Sequence, residues 1–114
     1  PQAGRILMSI ADSEKSEAMP VAALFKQLGW TVEATAGTAA YLKKWGIEAG
    51  CVEREDLVKR LRSGGWHLVL NIPGGNERHI ADGTLIRRHA CSAGIPCLHS
   101  ISAAWAVAAG LGTR

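Results

Sequence analysis

The stretches RILMSI (residues 5–10) and HLVLN (residues 67–71) are short and almost continuously apolar. Runs of this kind are typical of strands that are buried on both faces, as the strands of parallel sheets are. Weaker strand patterns lie at residues 31–35, 47–52 and 95–99. We therefore predict five strands, of which the run at residues 67–71 is the clearest.

A helix pattern follows each predicted strand. After the first strand, apolar residues at helical spacing form one stripe, at Val21, Leu24, Phe25 and Leu28. Pro20 predicts the first turn of this helix, because a first-turn proline loses no needed hydrogen bond, and Gly29 predicts its end. Later helices are expected at residues 38–45, at residues 57–61, after a loop at residues 72–83, and from Ser102 onward. Alternating strands and helices predict an α/β fold, a three-layer α/β/α sandwich around a five-stranded parallel sheet.

Composition predicts one ordinary globular domain over residues 1–114. The chain has 114 residues, of which 47% are hydrophobic and 20% charged, so intrinsic disorder is excluded for the chain as a whole. Residues 1–4 look like a linker without an initiator Met, and we expect the domain to have been excised from a larger chain.

Charge and cysteine content exclude several kinds of partner. A formal net charge of +3, with the four Trp residues spread along the chain, does not predict a nucleic-acid surface. The three cysteines form no C-x-x-C pair, so we expect no metal site and a reducing compartment. The apolar stretch at residues 101–111 is too short to span a membrane, and no signal peptide starts the chain. The sequence therefore predicts a cytoplasmic protein.

Small polar and basic residues follow three of the predicted strands. These residues are Ser9 and Lys15 after the first strand, Thr35, Gly37 and Thr38 after the second, and Asn71, Gly74 and Gly75 after the fourth. Because ligands of parallel sheets bind beyond the carboxyl ends of the strands, these residues predict an anion site beside helix N-termini. The alternatives are ordinary helix caps at the threonines, a solvated lysine and a simple glycine turn.

The order and spacing of these segments resemble the methylglyoxal synthase-like domain family. The resemblance rests on ILMSIADSEK (residues 6–15), ATAGT (34–38), NIPGG (71–75), DGTLIRR (82–88) and GIP (94–96). Within the family, the chain is most similar to the domain at the C-terminus of the carbamoyl phosphate synthetase large subunit.

The resemblance implies a regulatory domain that binds a phosphate-bearing effector such as UMP or IMP. It makes Ser9, Lys15, Thr35, Thr38 and Asn71 the phosphate contacts, and it adds an Ile-Arg-Arg element that contains Arg87 and Arg88. The parent enzyme would be an ATP-dependent ligase that makes carbamoyl phosphate for pyrimidine and arginine synthesis. ATP and Mg would then belong to the parent enzyme, and this domain itself would carry no cofactor. Its partners would be the effector and the parent's other domains.

Two departures from the family pattern weaken the expected site. The family has a long loop after strand three, with a Lys and a Gly-Arg-Pro run, whereas VERED (residues 52–56) leads directly into a helix here. Arg54 is a candidate substitute for that Lys, although three acidic residues surround it. Ile72 and Gly74 replace the family's Thr and Ser, and each lost polar contact costs roughly 1–3 kcal/mol. We therefore expect weakened or altered effector binding.

Two other functions remain open from the sequence. A methylglyoxal synthase-type lyase acting on dihydroxyacetone phosphate would use His79, with Asp12 or Asp82 as the base. A docking or homo-oligomerisation domain without a ligand would use Trp45 or Trp66 as an anchor.

Overall fold

The protein is described by a computed structural model that covers residues 4–74 and 77–112, with the backbone alone for residues 77–82. Over these residues one parallel sheet forms the centre, with strands β1 Arg5–Ile10, β2 Thr31–Thr35, β3 Gly50–Val52, β4 Leu68–Ile72 and β5 Cys97–Leu98. The strand order is β3-β2-β1-β4-β5. This confirms the predicted five-stranded parallel sheet.

Helices connect the strands and cover both faces of the sheet. They are a 3₁₀ turn at Asp12–Glu14, followed by α1 Lys15–Gln27, α2 Ala36–Lys44, α3 Arg54–Arg62, α4 Glu77–Ser92 and α5 Ile101–Gly112. Helices α1, α2 and α5 pack on one face, and α3 and α4 pack on the other. The three layers are therefore those that the sequence predicts.

Alternation along the strands divides the core in two. Ile6, Met8 and Ile10 of β1 face α1, α2 and α5, whereas Leu7 between them faces α3 and α4. All of these β1 side chains are buried. Full burial of one such side chain stabilises the fold by about 1.5–3 kcal/mol, so two-sided burial explains why this strand is almost continuously apolar.

Two sequence-based boundaries are wrong for physical reasons. Pro20 lies inside α1, which begins five residues earlier, at Lys15. The proline leaves the carbonyl of Ser16 without its usual donor, and the exposure of Ser16 lets water replace that donor. Helix α4 begins at Glu77, so the predicted loop at residues 72–83 is too long. Gly83 favours a loop by propensity, but here it lies in a helix that approaches β4 closely.

The end of α1 agrees with the sequence. Gly29 has a φ of +87°, and Trp30 donates its N–H to the carbonyl of Phe25 at 3.0 Å. This is a Schellman motif, in which glycine adopts the left-handed conformation without a Cβ penalty. No helix among the described residues is both long and apolar enough to cross a membrane.

The order of the strands determines where a ligand can bind. Strand β1 lies at the centre, with β2 on one side and β4 on the other. The chain leaves β1 and β2 toward helices on one face, and it leaves β4 toward α4 on the opposite face. A crevice therefore opens at the carboxyl ends of these three strands, as is usual where strand order reverses.

Candidate functional site

A cavity of about 310 Å³ lies at the carboxyl ends of β1, β2 and β4. Its lining includes these predicted site residues: Ser9, Lys15, Thr35, Gly37, Thr38, Arg54, Asn71 and Gly74. Gly75, which is also a predicted contact, lies outside the described residues. The structure thus brings together residues from the ends of β1, β2 and β4 and from helices α1, α2 and α3.

Lys15 supplies a positive charge at the cavity. Its side chain is only 12% exposed, so it is not the solvated surface lysine that was the alternative. A Cβ added to Gly37 would lie 3.2 Å from Lys15 Nζ, which shows that the ammonium lies against the first turn of α2. Lys15 also forms an ion pair with Asp12 of the 3₁₀ turn. The ammonium and the positive end of the α2 dipole therefore both make the potential positive in the same part of the cavity.

The first turn of α2 keeps its backbone N–H groups available. Thr35 is the N-cap residue, but its side chain makes no capping hydrogen bond. Its hydroxyl donates instead to Thr38 Oγ1, at 3.4 Å. The first N–H groups of a helix have no partner within the helix, and Ala36, Gly37 and Thr38 line the cavity. Thr35 is therefore not the ordinary cap that the sequence left open, and an anion would find donors here.

Thr38 holds two walls of the cavity together. Its side chain is buried, and Oγ1 accepts the backbone N–H of Ile10 at 3.1 Å. The same hydroxyl lies 3.4 Å from the carbonyl oxygen of Ile10, as a donor to it. Thr38 therefore fixes the start of α2 against the end of β1, and its hydroxyl serves the fold as well as lining the cavity.

Asn71 presents a buried donor with no partner. It is 1% exposed and lies beside Ser9 in the register of β4 and β1. Among the described residues, its Nδ2 has no hydrogen-bond partner. A buried amide donor without an acceptor destabilises a fold by about 1–3 kcal/mol, so such groups usually mark a missing ligand or water.

The wall from α3 confirms the short connection after strand three. Only Glu53 separates β3 from α3, so no long loop with an extra lysine reaches this cavity. Glu53 and Arg54 both line the cavity, with opposite charges. Arg54 lies at the start of α3, where the sequence places a substitute cation.

The two arginines of the Ile-Arg-Arg element do not line this cavity. Arg87 lies near Gly83, where an added Cβ would be 3.1 Å from its Nη1, and its Nη2 donates to Thr84 Oγ1 at 3.4 Å. Neither Arg87 nor the exposed Arg88 lines the cavity. His79 lies in α4, and its side chain is outside the described part of the chain.

The two tryptophans of the docking hypothesis differ in exposure. Trp45 is 56% exposed, whereas Trp66 is 2% exposed and belongs to the core. Trp66 donates its indole N–H to Glu33 at 3.0 Å, and Arg60 binds the same carboxylate through both of its terminal nitrogens. The bond from Arg60 holds the pKa of Glu33 below its usual range. The sequence did not predict this ion pair, because its partners are 27 residues apart.

All three cysteines are free thiols, of which Cys51 and Cys91 are exposed. Burial raises the pKa of the Cys97 thiol, and partial desolvation together with the neighbouring Glu53 carboxylate raises the pKa of the exposed Cys51. No cluster of three or more His, Cys, Asp or Glu residues that could hold a metal ion occurs in the described ranges.

Comparisons with known proteins agree with the resemblance in the sequence. A family model described as the MGS-like domain matches residues 17–99, which include Thr35, Thr38 and Asn71. The whole chain is 35% identical to part of the carbamoyl phosphate synthase large chain of Rubrobacter xylanophilus, of which it covers 11%. Over 91% of its length it is 34% identical to the C-terminal section of the carbamoyl phosphate synthase large chain of Methanocaldococcus jannaschii, of which it covers 18%. The chain thus spans less than a fifth of either relative. Because the family model covers most of the sequence, this chain belongs to the MGS-like domain family.

Proposed function

We propose that this chain is the regulatory domain of a carbamoyl phosphate synthase large chain and binds the phosphate group of an effector in the cavity at the sheet edge. The observation that carries the proposal is the placement of Lys15 Nζ against the first turn of α2. UMP and IMP are the nucleotides proposed as effectors. The ligase chemistry, with its ATP and Mg, is proposed for the remainder of the parent enzyme.

The chemistry of the cavity favours a phosphate. The Lys15 ammonium, the first N–H groups of α2 and the amide of Asn71 are all hydrogen-bond donors. The phosphate dianion of a nucleotide offers only acceptors, so it matches them. Charge-assisted hydrogen bonds of this kind are roughly twice as strong as neutral ones. An uncharged or cationic ligand would leave the Lys15 charge without a new partner.

The same lining supports binding rather than proton abstraction. Among its described residues, Glu53 is the one carboxylate, and Arg54 lies directly beside it in the sequence. A lyase needs a carboxylate base that reaches the carbon next to a carbonyl, with an acid opposite. Of the two bases that the sequence offers, Asp12 is outside the lining and pairs with Lys15, and the side chain of Asp82 is outside the described part of the chain.

Isothermal titration with inorganic phosphate, UMP and IMP tests the proposal. We expect binding by the wild-type domain and at least tenfold weaker binding by Lys15→Ala, because a hydrogen bond to a charged group contributes about 1.5–3 kcal/mol. Lys44→Ala is the matched control, since Lys44 is an exposed lysine at the other end of α2. No heat at millimolar ligand, or equal affinity in the two variants, would contradict the proposal. Methylglyoxal formed from dihydroxyacetone phosphate, and lost in His79→Ala, would establish the lyase instead.

A further inference from the structure

The ammonium of Lys15 belongs to a mostly buried side chain and lies next to another positive charge. It lies beside the N-terminus of α2, which carries the positive end of the helix dipole. Its side chain is 12% exposed, so water screens this repulsion only partly. The ammonium therefore needs an anionic partner whether or not a ligand is bound.

Asp12 supplies such a partner from outside the cavity. It lies three residues before Lys15, at the start of the 3₁₀ turn that leads into α1, and its carboxylate pairs with Lys15 Nζ. The Asp12 side chain is 80% exposed and is not part of the cavity lining. The carboxylate is thus largely in solvent while it pairs with a lysine whose side chain is mostly buried.

This ion pair changes the charge that an incoming anion meets. Lys15 and Arg54 are the cations of the described lining, and Glu53 is an anion beside Arg54. With Asp12 included, the four formal charges sum to zero. A phosphate dianion must therefore compete with Asp12 for the ammonium and also experiences repulsion from it.

We infer that Asp12 is a specificity-determining residue of the proposed phosphate site, a carboxylate of the chain itself that competes with the ligand's phosphate for Lys15. The inference rests on the proposed function. Asp12 lowers the affinity for every phosphate ligand, and it lowers the affinity most for ligands that carry the greatest negative charge. The domain then binds well only those phosphate ligands whose other groups, beyond the phosphate, also contact the cavity.

Asp12→Asn tests this inference, because it removes the charge and keeps the shape of an exposed side chain. Calorimetric titration with inorganic phosphate at pH 8 and low salt should give about three- to tenfold tighter binding than wild type, the upper value being ~1.4 kcal/mol. Glu17→Gln removes the same charge from an exposed residue of the first turn of α1 outside the lining, and it should change the affinity by less than twofold. Asp12→Ala, with a thermal unfolding curve for each variant, covers the case in which the asparagine disturbs the 3₁₀ turn.

The outcomes separate this inference from the proposed function. The inference is supported if Asp12→Asn binds phosphate more tightly than Glu17→Gln does. It is also supported if Asp12→Asn binds phosphate and the wild-type domain does not. Wild-type binding that depends on Lys15 but is equal or weaker in Asp12→Asn would overturn the competition and leave the phosphate site in place. Weaker binding would mean that Asp12 positions the ammonium. If neither the wild-type domain nor Asp12→Asn binds phosphate, both the inference and the proposed function are wrong.

Discussion

Replacing Gly37 with alanine separates the binding role of the α2 N-terminus from its role in stability. Gly37 is an exposed second residue of α2, and Lys15 Nζ is the one described atom within 4 Å of a Cβ added there, at 3.2 Å. Contacts of 3.4–4 Å are ordinary, so the lysine side chain must move by a few tenths of an ångström. A flexible side chain can do so at little cost in stability.

Gly37→Ala should raise the stability of the domain and lower its affinity for phosphate. Alanine is more favourable than glycine by up to about 1 kcal/mol inside a helix, so Gly37→Ala should raise the free energy of unfolding by about 0.5 kcal/mol near the helix start. The new methyl group would occupy the space from which a phosphate oxygen reaches the first N–H groups. The loss of one charge-assisted hydrogen bond, about 1.5–3 kcal/mol, predicts roughly 10- to 150-fold weaker phosphate binding.

Urea unfolding and phosphate calorimetry on the same variant measure both effects. Gly110→Ala in α5 is the matched control, because a Cβ there meets nothing within 4 Å and the residue does not line the cavity. It should bind phosphate within twofold of wild type. Wild-type affinity in Gly37→Ala would refute the placement of the phosphate at this helix start. A loss of more than about 1 kcal/mol of stability would refute the assumption that Lys15 can move freely.

Three further substitutions test the core and the cavity. Glu33→Gln should lower the free energy of unfolding at pH 7 by about 1–2 kcal/mol. The hydrogen bond from Arg60 lowers the pKa of Glu33, so the stability difference between wild type and variant, measured by urea unfolding, should shrink as the pH falls through that lowered pKa. Equal stabilities at pH 7 would argue against the ion pair. Phe25→Ala removes a side chain with 0% exposure and should lower the free energy of urea unfolding by about 3–5 kcal/mol, whereas a loss under 1 kcal/mol would contradict the packing described for α1. Asn71→Leu replaces a buried donor that has no partner among the described residues, so stability should change by less than about 1 kcal/mol while calorimetry shows at least tenfold weaker phosphate binding; unchanged affinity would exclude Asn71 as a contact.

The strands were predictable where burial alone determines them. Residues 5–10 and 31–35 form strands with the predicted bounds, because their patterns of apolar residues follow directly from packing between two helix layers. Strand β5 is shorter than its pattern, at Cys97–Leu98. The helix boundaries predicted at Pro20 and Gly83 were wrong, because both residue types are unfavourable inside helices and usually mark helix ends. In the fold, solvent access at Ser16 and the close approach of α4 to β4 allow them inside helices.

The site was predictable as a set of strand ends but not as a geometry. The rule for parallel sheets places Ser9 and Asn71 at the same edge of the sheet, and the register of β1 and β4 makes them neighbours there. The position of Lys15 Nζ over Gly37 and the bond between Thr38 and Ile10 depend on side-chain packing, about which the sequence spacing carries no information. Arg87 follows its motif in the sequence, but it does not line the cavity, and it donates to Thr84 within α4.

A phosphate titration followed by two-dimensional ¹H–¹⁵N NMR of the ¹⁵N-labelled domain tests the central claim most directly. The account predicts that the largest chemical-shift changes occur at the backbone amides of Ala36, Gly37 and Thr38 and at the side-chain amide of Asn71. Sodium chloride at equal ionic strength, which screens exposed charges to the same extent, should leave these signals in place. Signals that do not move at millimolar phosphate, or that move only around the exposed lysines at the end of α2, would contradict the account.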